Sequence, residues 1–323
     1  MKFQPLQKLA FYMIAGLLAL MTHPARAQYP NKPIRFVIWA PAGGTADAAA
    51  RVIATSMSQT LGQPVVVDNK PGADGIIAAD LVAKAPPDGY TITMANAGSL
   101  GYAPATRKTL PYDPIADFTF IGQMGEFGYF VYVHPSLPIR DLKEFASHLK
   151  ANPGKLNHGQ GSATGTILSS AFARANKLDF LQVPYKGEAP LTPDLLSGRV
   201  ELVFGSGGLL PHAKEGRLRA IATTLPARSP LAPDVPTFTE SGFAQPGLKS
   251  WIGLAGPARM PPEIVERLSR ALTAALGQPE VRERFTVMAG QITPSTADQF
   301  TALVKDQLVV WRREAMAAGI QAE

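Results

Sequence analysis

Apolar residues in this chain fall into two alternating rhythms: short runs of four or five, and longer stretches in which they recur every three to four positions. The run Ile34-Arg35-Phe36-Val37-Ile38 predicts a buried strand, and behind it Ala49, Val52, Ile53, Met57 and Leu61 repeat at helical spacing. Gly62 follows as a left-handed cap, Val65-Val66-Val67 as a second strand and, after the turn Pro86-Pro87-Asp88-Gly89, Thr91-Ile92-Thr93-Met94 as a third. Strands separated by helices in this way are the pattern of parallel α/β layers.

Around Phe130-Val131-Tyr132-Val133 the chain enters a second unit of similar build. There Ile167, Leu168, Ala171 and Phe172 mark a helix, Leu181 to Gly187 a strand, Asp194 to Ser197 a helix capped by Gly198, and Val200 to Phe204 another strand. Trp251-Ile252-Gly253-Leu254 returns the chain to the first unit. A helix then opens at Pro261-Pro262-Glu263 with Ile264, Leu268, Leu272 and Leu276 four apart, and another runs from Ser295 to Ala317 behind the box-like Ser295-x-x-Asp298. The expected fold class is α/β with two lobes, residues 28–128 with 252–323 in one and 129–251 in the other.

The N-terminus changes the picture. Lys2 and Lys8 precede the apolar segment Leu9 to Met21, and Ala25-Arg26-Ala27 has the small-x-small form of a secretory cleavage site. The segment is shorter than the roughly 20 apolar residues a spanning helix requires, so the expectation is a periplasmic protein whose signal peptide, residues 1–27, is removed after Ala27. Export leaves 296 of the 323 residues, more than one core usually organises. It also removes Lys2, Lys8 and Arg26 and no acid, which lowers the formal charge of +6 by three to +3. The remaining Lys and Arg are scattered, so no nucleic-acid partner is expected. A mild positive field still favours small anions. With no cysteine there is no disulfide framework and no thiol chemistry.

Candidate chemistry gathers in two loops. Trp39-Ala40-Pro41-Ala42-Gly43-Gly44-Thr45-Ala46-Asp47 joins the first strand to the first helix, where paired glycines let backbone approach a ligand and the leading N–H groups of the helix attract an anion. It is neither a dinucleotide-binding fingerprint nor a P-loop, because G-x-G-x-x-G is absent and no Lys-Ser/Thr follows the glycines. His158-Gly159-Gln160-Gly161-Ser162-Ala163-Thr164-Gly165-Thr166 echoes it in the second unit. The candidate ligand-binding residues are therefore Gly43, Gly44 and Thr45 (backbone, with the Thr45 hydroxyl as donor) and the opposing jaw Gly161, Ser162, Ala163, Thr164, Gly165 and Thr166. Asp47 either satisfies N–H groups at the helix start, orients a bridging water, or receives a ligand amine or hydroxyl. Ser99 is added because it ends a strand on the side where open α/β sheets bind ligands. Tyr185 and Phe204 are candidates for the cleft lining or, alternatively, for the core. Trp39 has the same two readings: core, or a wall that stacks on a flat ligand.

The five histidines show no metal or triad spacing, and no G-x-S-x-G accompanies them, so no catalytic residue, metal or cofactor is expected. His158, beside the second loop, reads as a structural hydrogen-bonding residue.

Several short motifs together carry a resemblance. Tyr29-Pro30-x-Lys32-Pro33-Ile34-Arg35, Gly43-Gly44-x-x-Asp47, Leu61-Gly62-Gln63-Pro64, Lys84-Ala85-Pro86-Pro87-Asp88-Gly89-Tyr90-Thr91, Leu110-Pro111-Tyr112-Asp113-Pro114, Val183-Pro184-Tyr185-Lys186-Gly187, Leu218-Arg219-Ala220 and Pro233-Asp234-Val235-Pro236-Thr237 occur in this order. Over its whole exported length the chain resembles the extracytoplasmic solute-binding proteins of tripartite tricarboxylate transporters, the Bug family. The resemblance implies a type II-like periplasmic binding protein, a Venus flytrap whose lobes are joined by crossing strands and close on a small carboxylate held by loop backbone and bridging waters. The chain departs from the family's pattern at Trp39-Ala40, where proline and an aromatic are usual, and at Thr166-Ile167 and Ser170, where a His-Leu pair and a glutamate are usual. The expected function is a receptor, not an enzyme, that captures a small carboxylate and delivers it to transporter membrane subunits, with aromatic mono- and dicarboxylates among the ligands that Trp39 would suit. The expected state is a monomer. The alternatives are a partner that reports ligand occupancy to a membrane sensor, and a periplasmic enzyme acting on carboxylates.

Overall fold

The computed structural model describes residues 29–320 apart from the side chain of Thr45; the expected signal peptide and its cleavage site lie outside the described residues. The first lobe begins with β1 (Ile34–Ile38), α1 (Thr45–Leu61), β2 (Val65–Asn69), α2 (Ile76–Ala83), β3 (Thr91–Asn96), α3 (Ala103–Thr106) and β4 (Phe118–Phe127). The second is built from β5 (Tyr129–Val133), α4 (Leu142–Ala151), β6 (Asn157–Gln160), α5 (Ala163–Asn176), β7 (Leu181–Pro184), α6 (Glu188–Leu196), β8 (Leu202–Ser206), α7 (Leu210–Lys214) and β9 (Arg219–Thr223). Finally β10 (Ser250–Pro257), α8 (Pro262–Leu276), α9 (Pro279–Val287), β11 (Gly290–Ile292) and α10 (Ala297–Ala317) complete the first lobe.

One sheet has the order β11-β4-β10-β3-β1-β2 and the other β7-β6-β8-β5-β9. The strands joined through helices, β1 with β2 and β3, and β6 with β7 and β8, pair in parallel. The returning strand β10 lies antiparallel between β3 and β4. Parallel strands of this kind leave their C-terminal ends, and the loops that follow, open for ligand.

The apolar spacing of the helices is spent on packing. Ala49, Ala50, Ile53 and Met57 of α1 are buried, and the helix lies on α8, whose Leu268, Leu272 and Leu276 belong to the same core. Ile53 is fully buried, and truncating such a side chain to alanine costs about 2–5 kcal/mol. Gly62 ends α1 in the left-handed region at φ 74°, its N–H donating to the Ser58 carbonyl at 2.9 Å.

Three local readings of the sequence are corrected. His158-Gly159-Gln160, expected as loop, belongs to β6. The second-lobe helix expected from Asp194 starts at Glu188. The cap of the last helix is Thr296 rather than Ser295: the Thr296 hydroxyl accepts from Gln299 N–H at 3.2 Å and the Gln299 side chain accepts from Thr296 N–H at 3.0 Å, while Ser295 Oγ serves Gln123 N–H in β4.

The lobes meet where β4 becomes β5. Phe127 still pairs with Ser250, Tyr129 already pairs with Ser206, and Gly128 alone separates them. A Cβ on Gly128 would lie 2.7 Å from Leu225 Cγ, so only glycine fits the crossing. Thr224 braces it, donating its N–H to the Tyr129 carbonyl at 2.9 Å and accepting the Tyr129 N–H on its hydroxyl at 3.0 Å. Away from the crossing, Arg174 of α5 is ion-paired with Glu314 of α10, so the two lobes are also tied through their helices.

Candidate functional site

The loop after β1 turns at Gly43, whose φ of 83° disfavours other residues, and hands over to α1 at Gly44, which has no side chain to cap the helix. Asp47 takes over part of that task. Its buried carboxylate accepts from Gly43 N–H, Arg51 Nε and Asn69 Nδ2, each at 2.9 Å, and Asn69 Nδ2 also donates to the Ala40 carbonyl at 2.9 Å. The hydrogen bond from Arg51 is the largest influence holding the Asp47 carboxyl down at about 2. Asp47 is thus committed to the loop that it shapes. The Thr45 hydroxyl lies outside the described side chains.

Beside this loop lies a cavity of about 470 Å³ that draws its walls from both lobes. On the first-lobe side it is bounded by Trp39 and Pro41, by Asn96, Ala97 and Gly98 at the end of β3, and by the turn Gly72 to Gly75 ahead of α2. Phe127, Tyr102 and the first residues of β10, Ser250 to Ile252, add to that side, and Tyr129 with Ser162, Ala163 and Thr164 forms the second-lobe side.

The second loop divides its labour. Ser162 caps α5 in an extended conformation, its Oγ accepting from Gly165 N–H at 3.1 Å and donating to the Tyr129 hydroxyl at 3.4 Å. Thr166 Oγ1 donates back to the Ser162 carbonyl at 2.9 Å. A Cβ on Gly165 would stand 2.1 Å from the Phe204 carbonyl, and one on Gly161 would stand 2.8 Å from Leu191. Gly161, Gly165 and Thr166 therefore build the jaw, and Ser162, Ala163 and Thr164 face the cavity at the positive end of α5.

Five further sequence candidates sit elsewhere. Ser99 is buried, its N–H donating to Asn96 Oδ1 at 2.9 Å and its carbonyl accepting from Tyr112 at 2.8 Å; its neighbours Asn96 to Gly98 face the cavity instead. Phe204 is 1% exposed and packs among Phe172, Phe238 and His158, because β8 is central in its sheet and covered on both faces. Tyr185 donates its hydroxyl to Asp194 at 2.7 Å, away from the cavity. Gly43 and Gly44 adjoin the cavity through Pro41 without lining it. His158 is fully buried between Phe180 and Phe204 with neither ring nitrogen partnered, so the hydrogen-bonding role expected of it is not realised; burial pushes its pKa down to about 3.

The sequence reading missed Tyr129, Trp251, Asn96 and the turn at Gly72. In that turn Gly72, Ala73, Asp74 and Gly75 all have positive φ, at 118°, 47°, 55° and 91°. Ala73 and Asp74 are not glycine, and each costs on the order of 1–3 kcal/mol in such a conformation. The turn lets the chain pass close to its neighbours: a Cβ on Gly75 would lie 3.1 Å from Asn96 Nδ2 and 3.2 Å from Trp39 Cβ. The dipeptides Pro71-Gly72 and Asp74-Gly75 are turn signals that could have marked it. Trp39, one residue beyond β1, is half-buried in the cavity wall, and both it and Trp251 hold a buried indole N–H with no partner.

A larger groove, about 630 Å³, lies at the opposite pole of the first lobe between α8 and the start of α10. It touches one lobe only, so the smaller cavity is the site at which closure of the lobes would act. Among the described residues there is no group of acids and histidines able to hold a metal, and no helix long and apolar enough to cross a membrane.

Residues 49–319 match the family described as the tripartite tricarboxylate transporter family receptor, TctC. The chain belongs to this receptor family. Among solved structures, the receptor is similar to the periplasmic binding protein BugD, at 32% identity and a TM-score of 0.71 over 91% of this chain and 100% of BugD. It is also similar to Rpa4515 of R. palustris with adipate, at 30% identity and a TM-score of 0.74 over 91% and 100% of the two chains. MatC of Rhodopseudomonas palustris with bound malate matches at 31% identity and a TM-score of 0.68 over 88% and 99%. The family and these neighbours make the chain a two-lobed solute-binding receptor and not an enzyme.

Proposed function

We propose that the receptor captures a small carboxylate in the cavity between its lobes and delivers it to the membrane subunits of a tripartite transporter. The observation that carries this reading is the placement of Ser162, Ala163 and Thr164 at the N-terminus of α5, facing a cavity whose other wall holds Trp39 and Asn96. A helix N-terminus facing the cavity favours a carboxylate without requiring a lysine or arginine, and the neighbours holding adipate and malate support the class. Asn96 adds a donor, since its Oδ1 is occupied by Ser99 N–H and its Nδ2 remains toward Gly75. The Trp39 ring suits the flat face of an aromatic mono- or dicarboxylate. The reading includes lobes made of residues 28–128 with 252–323 and of 129–251, a monomer, and export to the periplasm with cleavage after Ala27. Calorimetric titration of benzoate, terephthalate, adipate, malate and citrate tests it: saturable binding of at least one supports it, and binding of none contradicts it.

A further inference from the structure

The charge and shape of the cavity lining point beyond a plain carboxylate. Five aromatic residues line it: Trp39, Tyr102, Phe127, Tyr129 and Trp251. Among its described lining residues there is no lysine, arginine or histidine, and Asp74 is the sole aspartate or glutamate. Arg107 approaches Asp74 Oδ2 only to 3.9 Å, with both side chains about half exposed, at 41% and 52%, so the acid is weakly paired. A dianion in this cavity would hold one carboxylate near Ser162 and Thr164 and meet a negative charge and aromatic faces on the other lobe.

We infer that the preferred ligand is a zwitterion, a carboxylate that also carries an N-alkylated cationic nitrogen, with the carboxylate at Ser162 and Thr164 and the cation among the aromatic residues beside Asp74. The inference rests on the cleft being the ligand site of the reading above. Aromatic faces attract a cation through the ring quadrupole, and alkylated ammonium groups are the ions most often received by such boxes. An unsubstituted ammonium has three protons to place, and the Asp74 carboxylate cannot take them all, while Asn96 Oδ1 already accepts from Ser99 N–H and Ser162 Oγ from Gly165 N–H. An N-alkylated cation needs no acceptor and matches the apolar walls. The left-handed backbone at Asp74, φ 55°, is what sets this acid on the turn that bounds the cavity.

Matched ligands test the charge by itself. Glycine betaine and γ-butyrobetaine are compared by calorimetry with their carbon isosteres 3,3-dimethylbutanoate and 5,5-dimethylhexanoate, and with adipate, on wild type, Asp74→Asn and Asp74→Gly. Both substitutions keep a residue type that accepts positive φ, so the turn is preserved. The expected result is that one betaine binds wild type about tenfold or more tighter than its isostere and tighter than adipate, and that both variants lose this preference while still binding the isostere. An isostere or adipate that binds wild type as tightly as the betaines, or a preference that survives in both Asp74 variants, overturns the inference and leaves carboxylate capture standing. Absence of binding by every compound overturns both.

Discussion

The Asp47 carboxylate accepts the Gly43 backbone N–H at 2.9 Å, four residues back along the chain, and so fixes the glycine turn on which α1 begins. The side chain is almost fully buried and carries three donors, so removing it strips a charged acceptor from a built loop. Asp47→Ala is expected to cost about 1.5–3 kcal/mol of stability and to weaken ligand binding through the loop rather than by a lost contact. Chemical denaturation and calorimetry on the same variant measure both.

The same carboxylate sets a pH dependence. Its pKa falls from 3.8 to about 2 in the folded protein, chiefly through the Arg51 hydrogen bond. Its contribution is therefore complete above about pH 4 and is lost as pH falls through about 2. Melting curves of wild type and Asp47→Asn are expected to be separated at pH 6 and to converge toward pH 2.

His158 works in the opposite chemical sense with the same direction in pH. Desolvation lowers its pKa from 6.5 to about 3, so below pH 6.5 the unfolded chain takes up a proton that the folded chain refuses. At pH 5 this amounts to about 2 kcal/mol against the fold. His158→Phe fits a site bounded by Phe180 and Phe204, and its stability relative to wild type is expected to rise between pH 7 and pH 5. A constant difference across that range would show that His158 titrates normally.

The jaw residues separate fold from binding. Thr164→Val is expected to weaken carboxylate binding by about 0.5–3 kcal/mol with stability nearly unchanged. Ser162→Ala removes the α5 cap as well, and is expected to lose about 1 kcal/mol of stability in addition.

Trp39→Leu keeps an apolar residue in the wall but removes the ring. Aromatic carboxylates are expected to lose roughly 2- to 12-fold in affinity, the equivalent of about 0.5–1.5 kcal/mol of stacking, and aliphatic ones to change less. Parallel titrations of terephthalate and adipate check it.

What could be read from the sequence is what repeats locally. β1, α1 and Gly62 were legible because an apolar run, a helical spacing and a glycine cap stand in sequence order, and α8 because its leucines keep a spacing of four. β4 was not, because Gly122, Gln123 and Gly125 interrupt its apolar residues; those glycines answer to distant backbone, a Cβ on Gly125 lying 2.4 Å from the Gln291 carbonyl and one on Gly122 lying 3.0 Å from the Ser295 carbonyl. β6 is four residues long and contains His, Gly and Gln, too little for a period. The loops of the site were legible as glycine-rich helix starts, but their orientation was not: which of Gly161 to Thr166 face inward depends on Phe204 and Leu191, far along the chain. Tyr129 and Trp251 enter the cavity only because the chain crosses between lobes beside them, a relationship with no local signature.

The central claim is carboxylate capture between two lobes, and thermal unfolding with a saturating carboxylate, paired with small-angle scattering, tests it most directly. At about one hundred times its Kd, a bound carboxylate is expected to stabilise the receptor by roughly 2.7 kcal/mol and to make the particle more compact, and Thr164→Val is expected to shift the concentration required for both. A panel of aliphatic, aromatic and N-alkylated carboxylates that leaves both the melting temperature and the scattering profile unchanged would contradict the account.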